Sequence, residues 1–237
     1  MTHAALLGDH HVHSTFSDDA VSTLQENVDA ARDAGLTTLR LVDHVRRATK
    51  WVPEYVDAVG ALDVPDGLTV LTGVEAKILN ASGELDIPVL PAGIDRILIA
   101  DHQFPGADGP LGPTAVTERI AAGWSTVDVL DQFVSALIST MRRYPGNQLA
   151  HCFSLLPKIG LSESDLGDER TAAWARAAAE TDTLVEVNEK WGCPGIPQLR
   201  ALRAAGAAVV ASTDSHHASE VGRYSRVLEL LDGAEEL

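Results

Sequence analysis

Two histidines two residues apart, His11 and His13, stand in the run Asp9-His10-His11-Val12-His13-Ser14. On a strand, residues i and i+2 point to one side, so both imidazoles could serve one metal ion. Alone, such a pair is weak evidence. His10 should face the other way and be structural, and His3 is a terminal residue. Other ionisable residues close further short apolar runs: Asp43-His44, Glu75, Asp101-His102, His151 and Asp214-Ser215-His216. Any one of them is more often a satisfied polar residue at a strand end than a ligand. Six of nine histidines in such positions point elsewhere. Imidazoles and carboxylates gathered away from water carry a heavy desolvation cost, which cations would offset. His11, His13, His44, His102, His151 and His216, with Glu75, Asp214 and an acid from Ser17-Asp18-Asp19, make nine ligands. A catalytic centre of the zinc type uses about three to four protein ligands. Nine ligands with a bridging carboxylate therefore fit three ions. Histidine-rich ligation favours zinc, manganese or iron over magnesium or calcium.

The elements that must position these residues follow from the apolar pattern. Seven short runs are read as strands: Ala4 to Leu7 leading into the His11 motif, Thr38 to Val42, Leu68 to Val74, Ile94 to Ala100, Gln148 to Ala150, Leu184 to Val187 and Ala207 to Ser212. Helices are expected over Val21 to Ala34, Val127 to Arg143, Asp168 to Glu180, Ile196 to Ala205 and Ser219 to Leu231. Strands alternating with helices predict an α/β domain with a parallel sheet. Pattern alone leaves an open doubly wound sheet and a closed barrel. Ionisable residues at nearly every strand end favour the barrel, whose strand ends converge on one face.

Composition removes other classes. The 237 residues are 45% hydrophobic and 22% charged, values of a globular chain. No apolar run approaches about 18 residues, so no membrane span is expected. No secretory leader is visible, and Cys152 and Cys193 make no disulfide framework, so a cytoplasmic location is expected. Against 34 acidic residues stand 18 basic ones, a net charge of −16. Such a surface repels nucleic acid other than a short oligonucleotide at a local basic mouth. Simple solubility is the plain reading of that charge. The oligomeric state is not legible.

These segments together resemble the PHP (polymerase and histidinol phosphatase) family. The matching stretches are Asp9 to Ser14, Ser17-Asp18, Val42-Asp43-His44, Gly73-Val74-Glu75, Ala100-Asp101-His102, Leu149-Ala150-His151 and Ser212 to His216; Glu186-Val187-Asn188 also matches. They run in family order over nearly the whole chain. The resemblance implies a distorted (β/α)7 TIM-like barrel over residues 1–237 with a trinuclear centre. It assigns His11, His13, Glu75 and Asp214 to a first ion. Glu75, bridging, with His102 and His151 would hold a second, and Asp18, His44 and His216 a third. The chain departs from the family at His10, where leucine is usual, at Asp19 after Asp18, where glycine is, and at Cys152 after His151, where proline is common. Either Asp18 or Asp19 could be the ligand.

The activity implied is hydrolysis of a small phosphate ester, such as histidinol phosphate or a nucleotide, by a metal-bridging hydroxide. Glu75, Asp214 and His216 would serve the chemistry. The four lysines, Lys50, Lys77, Lys158 and Lys190, follow motif strands, and Arg46, Arg47 and Arg223 lie in comparable loops. They could form a positive mouth for an anionic substrate, although chance placement of lysines on loops accounts for them nearly as well. Lys158, Lys77, Lys190 and Arg223 are the expected substrate contacts, with Lys158 first. A nucleophilic cysteine is not needed where metals supply the nucleophile. Two other readings remain: an exonuclease or phosphodiesterase on short oligonucleotides, and an amidohydrolase, which also uses H-x-H on a first barrel strand. A metal-stabilised module without activity would be expected to have lost ligands.

Overall fold

The computed structural model describes residues 3–87 and 89–235. Seven parallel strands form the core: β1 (Gly8–Val12), β2 (Thr38–His44), β3 (Thr69–Lys77), β4 (Arg96–Ala100), β7 (Gln148–Ala150), β8 (Leu184–Asn188) and β9 (Val209–Ser212). They pair in the order β1-β2-β3-β4-β7-β8-β9. A parallel bridge between Val12 and Ser215, with the His13 N–H donating to the Ser215 carbonyl at 2.9 Å, joins the two edges into a nearly closed barrel. Between β4 and β7 lies a two-stranded hairpin, β5 (Phe104–Gly106) and β6 (Gly109–Leu111), which the apolar pattern did not announce.

Helices cover the barrel: α1 (Leu24–Asp33), α2 (Val52–Gly60), α3 (Pro113–Ala121), α4 (Thr126–Arg143), α5 (Gly167–Glu180), α6 (Ile196–Ala205) and α7 (Arg226–Glu235). Alternation along the strands sorts the side chains. Leu39, Leu41, Ile97, Ile99, Leu149, Val185 and Val187 are buried in the large outer core shared with the helices. Val42, Leu98, Ala100 and Ala150 form a small separate cluster on the other face of the strands, inside the barrel. Gly73 belongs to that interior: a Cβ there would meet Val42 and Leu98 methyl groups at 3.0 Å. The same parity as Val42 and Gly73 carries His44 and Glu75 to the inside at the C-terminal end of the barrel.

Several expected boundaries move. The apolar run Ala4–Leu7 is a 3-10 helix with no buried residue, and the strand is the polar stretch Gly8–Val12 after it. Pairing of β1 with β2, and its packing beside β9, decide this, overriding the weak strand propensity of Asp9 and His10. The first helix starts at Leu24, not Val21, because Thr23 caps it in a reciprocal capping box with Glu26. The last expected helix divides into a short 3-10 turn, Ala218–Glu220, and α7. Helices α2 and α3, both with a proline in the first turn, were not expected from the pattern. β3 runs on to Lys77, so Glu75 sits within the strand rather than at its end.

Candidate metal centre

At the C-terminal end of the barrel a cleft of about 360 Å3 is lined by Asp18, Asp19, His44, Glu75, His102, His151, Asp214 and His216, with Arg46, Lys77, Lys190 and Trp191 around them. His11 and His13 lie against Glu75 and Asp214 without lining the cleft, both fully buried, with their Nε2 atoms 3.0 Å apart. Glu75 stands at the centre. Its Oε1 lies 2.9 Å from His151 Nε2 and 3.0 Å from His102 Nε2. Its Oε2 lies 2.9 Å from His44 Nδ1 and 3.5 Å from both His11 and His13 Nε2. Asp214 Oδ1 is 3.3 Å from His13 Nε2 and 3.7 Å from His216 Nδ1. Asp214 and His151 both hold positive φ, at 54° and 31°, a conformation costly for residues with a Cβ.

The histidines are aimed from behind. His11 Nδ1–H donates to Glu186 at 3.0 Å, and His151 Nδ1–H to Asp101 at 3.2 Å. His13 Nδ1–H donates to Ser17 Oγ at 3.3 Å, and that hydroxyl donates to Asp43 at 2.6 Å. A ring whose Nδ1 carries the proton turns the Nε2 lone pair forward. Burial pushes His13 down to about 4, so its ring is neutral at pH 7. His13 therefore turns a lone pair toward His11 Nε2; against burial, Glu186 and Glu75 raise His11 well above the ordinary imidazole value and Asp101 and Glu75 raise His151 to about 10, so without an ion these two rings keep protons in the cluster. Acceptor facing acceptor at about 3 Å is unstable unless a proton or a cation lies between. Among the described residues, three overlapping groups have ligand atoms within 4.8 Å of one another: His11, His13 and Asp214; His13, His44 and His216; His44, Glu75 and His102. This donor set fits borderline divalent cations such as zinc, manganese or iron.

All six expected histidines, Glu75 and Asp214 thus meet in one place. Of the two neighbouring acids, Asp19 directs its Oδ2 to 3.3 Å from His216 Nε2 and 3.6 Å from His44 Nε2. Asp18 lines the same cleft without such a contact. Lys190 Nζ is 3.5 Å from Asp214 Oδ2 and 3.3 Å from His216 Nδ1. Lys77 Nζ donates to Gln103 at 3.2 Å. Arg223 lies in a neighbouring hollow that shares Lys190, Asp214 and His216 with the cleft. Lys158 does not line the cleft; its ammonium rests 4.0 Å from the centre of the Trp191 ring. His10 is held apart from the centre, and burial lowers it to about 4. His3 pairs with Asp232 at 2.8 Å. Cys152 and Cys193 are both free and buried, with thiols pushed well up by burial, which keeps them unreactive.

The supporting acids escaped attention as functional residues. Asp9 accepts from the Thr213 hydroxyl and N–H and from the Gly222 N–H, tying β1 to the Asp214 loop. Burial raises its carboxyl to about 6 despite these donors. Asp43 holds Ser14 and Ser17, and burial likewise brings it to about 6. Asp43 adjoins His44 and Asp9 stands two residues before His11, which was the available signal.

A PHP domain family model matches residues 9–190. The chain belongs to the PHP domain family. Among curated relatives, a probable phosphatase of Enterobacter sp. (strain 638) is 28% identical over 235 residues, covering 94% of this PHP domain protein and 84% of that one. A probable phosphatase of Acetivibrio thermocellus is 29% identical, with 94% and 85% covered. The same fold occurs in a histidinol phosphate phosphatase from Lactococcus lactis, solved with zinc, L-histidinol and phosphate. That likeness has a TM-score of 0.69 at 15% identity and covers 96% of this chain and 92% of that one.

Proposed function

We propose that this PHP domain protein is a metal-dependent phosphatase that hydrolyses a small phosphate monoester at a centre of three divalent ions. The observation that carries the reading is the gathering of six imidazoles around Glu75 and Asp214 at one cleft, with ring nitrogens 2.9 to 3.7 Å from their carboxylate oxygens. The names of the curated relatives support the reaction class. The family's division of ligands gives His11, His13, Glu75 and Asp214 to one ion and Glu75, His102 and His151 to the next. His44 and His216 hold the third, and we assign its carboxylate to Asp19 rather than Asp18 on the distances to both histidines.

Bound ions of this kind lower the pKa of water and neutralise phosphoryl oxygens. The chain's own groups do the rest. Glu75, Asp214 and His216 are the residues nearest the chemistry, fixing the ions and the reacting oxygen in place. Lys190 and Lys77 hold the phosphate at the rim, aided by Arg46, and Arg223 reaches the far end of the substrate. On a chain of net charge −16 this rim is where an anion is drawn.

Protein purified without chelator or added metal should carry close to three zinc, manganese or iron ions by mass spectrometry. It should release phosphate from p-nitrophenyl phosphate faster than it cleaves the bis-p-nitrophenyl diester. Only one or two ions after reconstitution would overturn the trinuclear centre. Faster diester cleavage would shift the reading to a phosphodiesterase on short oligonucleotides, and uptake of no ion would overturn the site as a whole.

A further inference from the structure

Asp214 divides its two oxygens between different tasks. Oδ1 faces the His11 and His13 nitrogens, at 4.0 and 3.3 Å. Oδ2 accepts the Trp191 indole N–H at 2.8 Å, a short bond to a buried carboxylate. Trp191 is itself braced. Its backbone N–H donates to Asn188 Oδ1 at 3.1 Å, and the Gly192 N–H closes the turn onto the Asn188 carbonyl at 2.9 Å. Gly192 takes φ 64°, which the turn requires and glycine adopts freely. The Lys158 ammonium lies 4.0 Å from the ring centre. Lys158 is anchored in its turn by Leu156 and Ile159, both buried on either side of it in the 3-10 helix Leu156–Ile159.

We infer that Trp191 is a positioning residue for the metal centre: its indole N–H holds Asp214 with Oδ1 turned toward His11 and His13, and Lys158 clamps the ring that does so. The inference rests on the metal-binding reading above. Two physical effects make the arrangement productive. A carboxylate with one oxygen fixed by a hydrogen bond loses the freedom to rotate and presents the other to an ion at lower entropic cost. A cation over the indole face pulls electron density toward it and makes the N–H a stronger donor. Lys158 thereby acts on the centre through Trp191, and its place outside the cleft follows.

Trp191→Phe keeps an aromatic ring under Lys158 and removes only the N–H. Apo protein would be reloaded with zinc in competition with a chromophoric chelator, and tryptophan emission recorded. Trp191→Phe is expected to weaken one ion about tenfold, the low end for an outer partner of a ligand, with circular dichroism and apo melting unchanged. Lys158→Met should weaken the same ion about threefold. In the Trp191→Phe background, Lys158→Met should add nothing, because the donor through which it acts is gone. The emission change on zinc loading should vanish in Trp191→Phe. Unchanged zinc affinity in Trp191→Phe, with wild type loading normally, overturns this inference alone. Full additivity of the two substitutions overturns the part given to Lys158. Failure of the wild type to take up zinc overturns the metal centre and this inference together.

Discussion

Glu75→Gln is expected to abolish phosphate release while leaving the fold intact. Glu75 is 2% exposed and ringed by five imidazoles. Burial alone would push its carboxyl up, but His102 and His11 hold it well below the usual range, so it is an anion. Glutamine has the same shape and loses the charge and one acceptor oxygen. In the empty site its amide donates readily to an imidazole nitrogen, so folding is spared. In the loaded site the bridging carboxylate proposed above would lose its charge and one of its two ligand oxygens. Charge stabilisation of several kcal/mol is at stake, and each factor of ten in rate is about 1.36 kcal/mol, so kcat should fall by about a thousandfold or more. Phosphate release, circular dichroism and metal content measured on one preparation check this. Turnover near wild type would sink the central role of Glu75.

The second large effect is expected one layer below, at Glu186. This residue is fully buried and accepts from His11 Nδ1, Gln148 Nε2, the His151 N–H, Asn188 Nδ2 and Ser212 Oγ, at 2.7 to 3.2 Å. Glu186→Gln would set an amide N–H against several of these donors and remove the charge that holds them. Breaking one partner out of a buried charged network costs about 3–5 kcal/mol. The substitution also frees His11 to turn, which should lower metal affinity by about ten- to a hundredfold. Urea unfolding of the metal-free protein reads the first effect, and zinc competition reads the second. A variant as stable as wild type would mean that the donors find other acceptors.

These two residues differ in how legible they were. Glu75 follows an apolar run and completes a ligand count, so its type and place pointed to a metal. Glu186 lies in a strand motif that resembles the family, but nothing in its type gave it a role. Five donors from four elements meet it, and only the closed barrel brings them there. Asp101 and Asp43 are similar cases: each precedes a histidine in sequence, yet Asp101 orients His151 and Asp43 orients His13 through Ser17.

The sequence by itself determined the class of fold and the membership of the site. Alternating strands and helices dictate a parallel sheet, and the parity of each strand fixes which side chains face inward, since i and i+2 share a side. Six histidines and Asp214 follow short apolar runs, and Glu75 follows one in sequence while lying inside β3, so residue type and position pointed to the group that the fold gathers at one cleft. Tertiary structure decided what depends on distance across the chain. Pairing with β2 and the Val12–Ser215 bridge on the other side made Gly8–Val12 the strand in place of the more apolar Ala4–Leu7. Three-dimensional placement set Asp19 rather than Asp18 against His44 and His216, a choice between adjacent residues of one type. It also moved Lys158 from the cleft to the face of Trp191, because a long flexible side chain goes where its anchored turn and a nearby aromatic surface direct it.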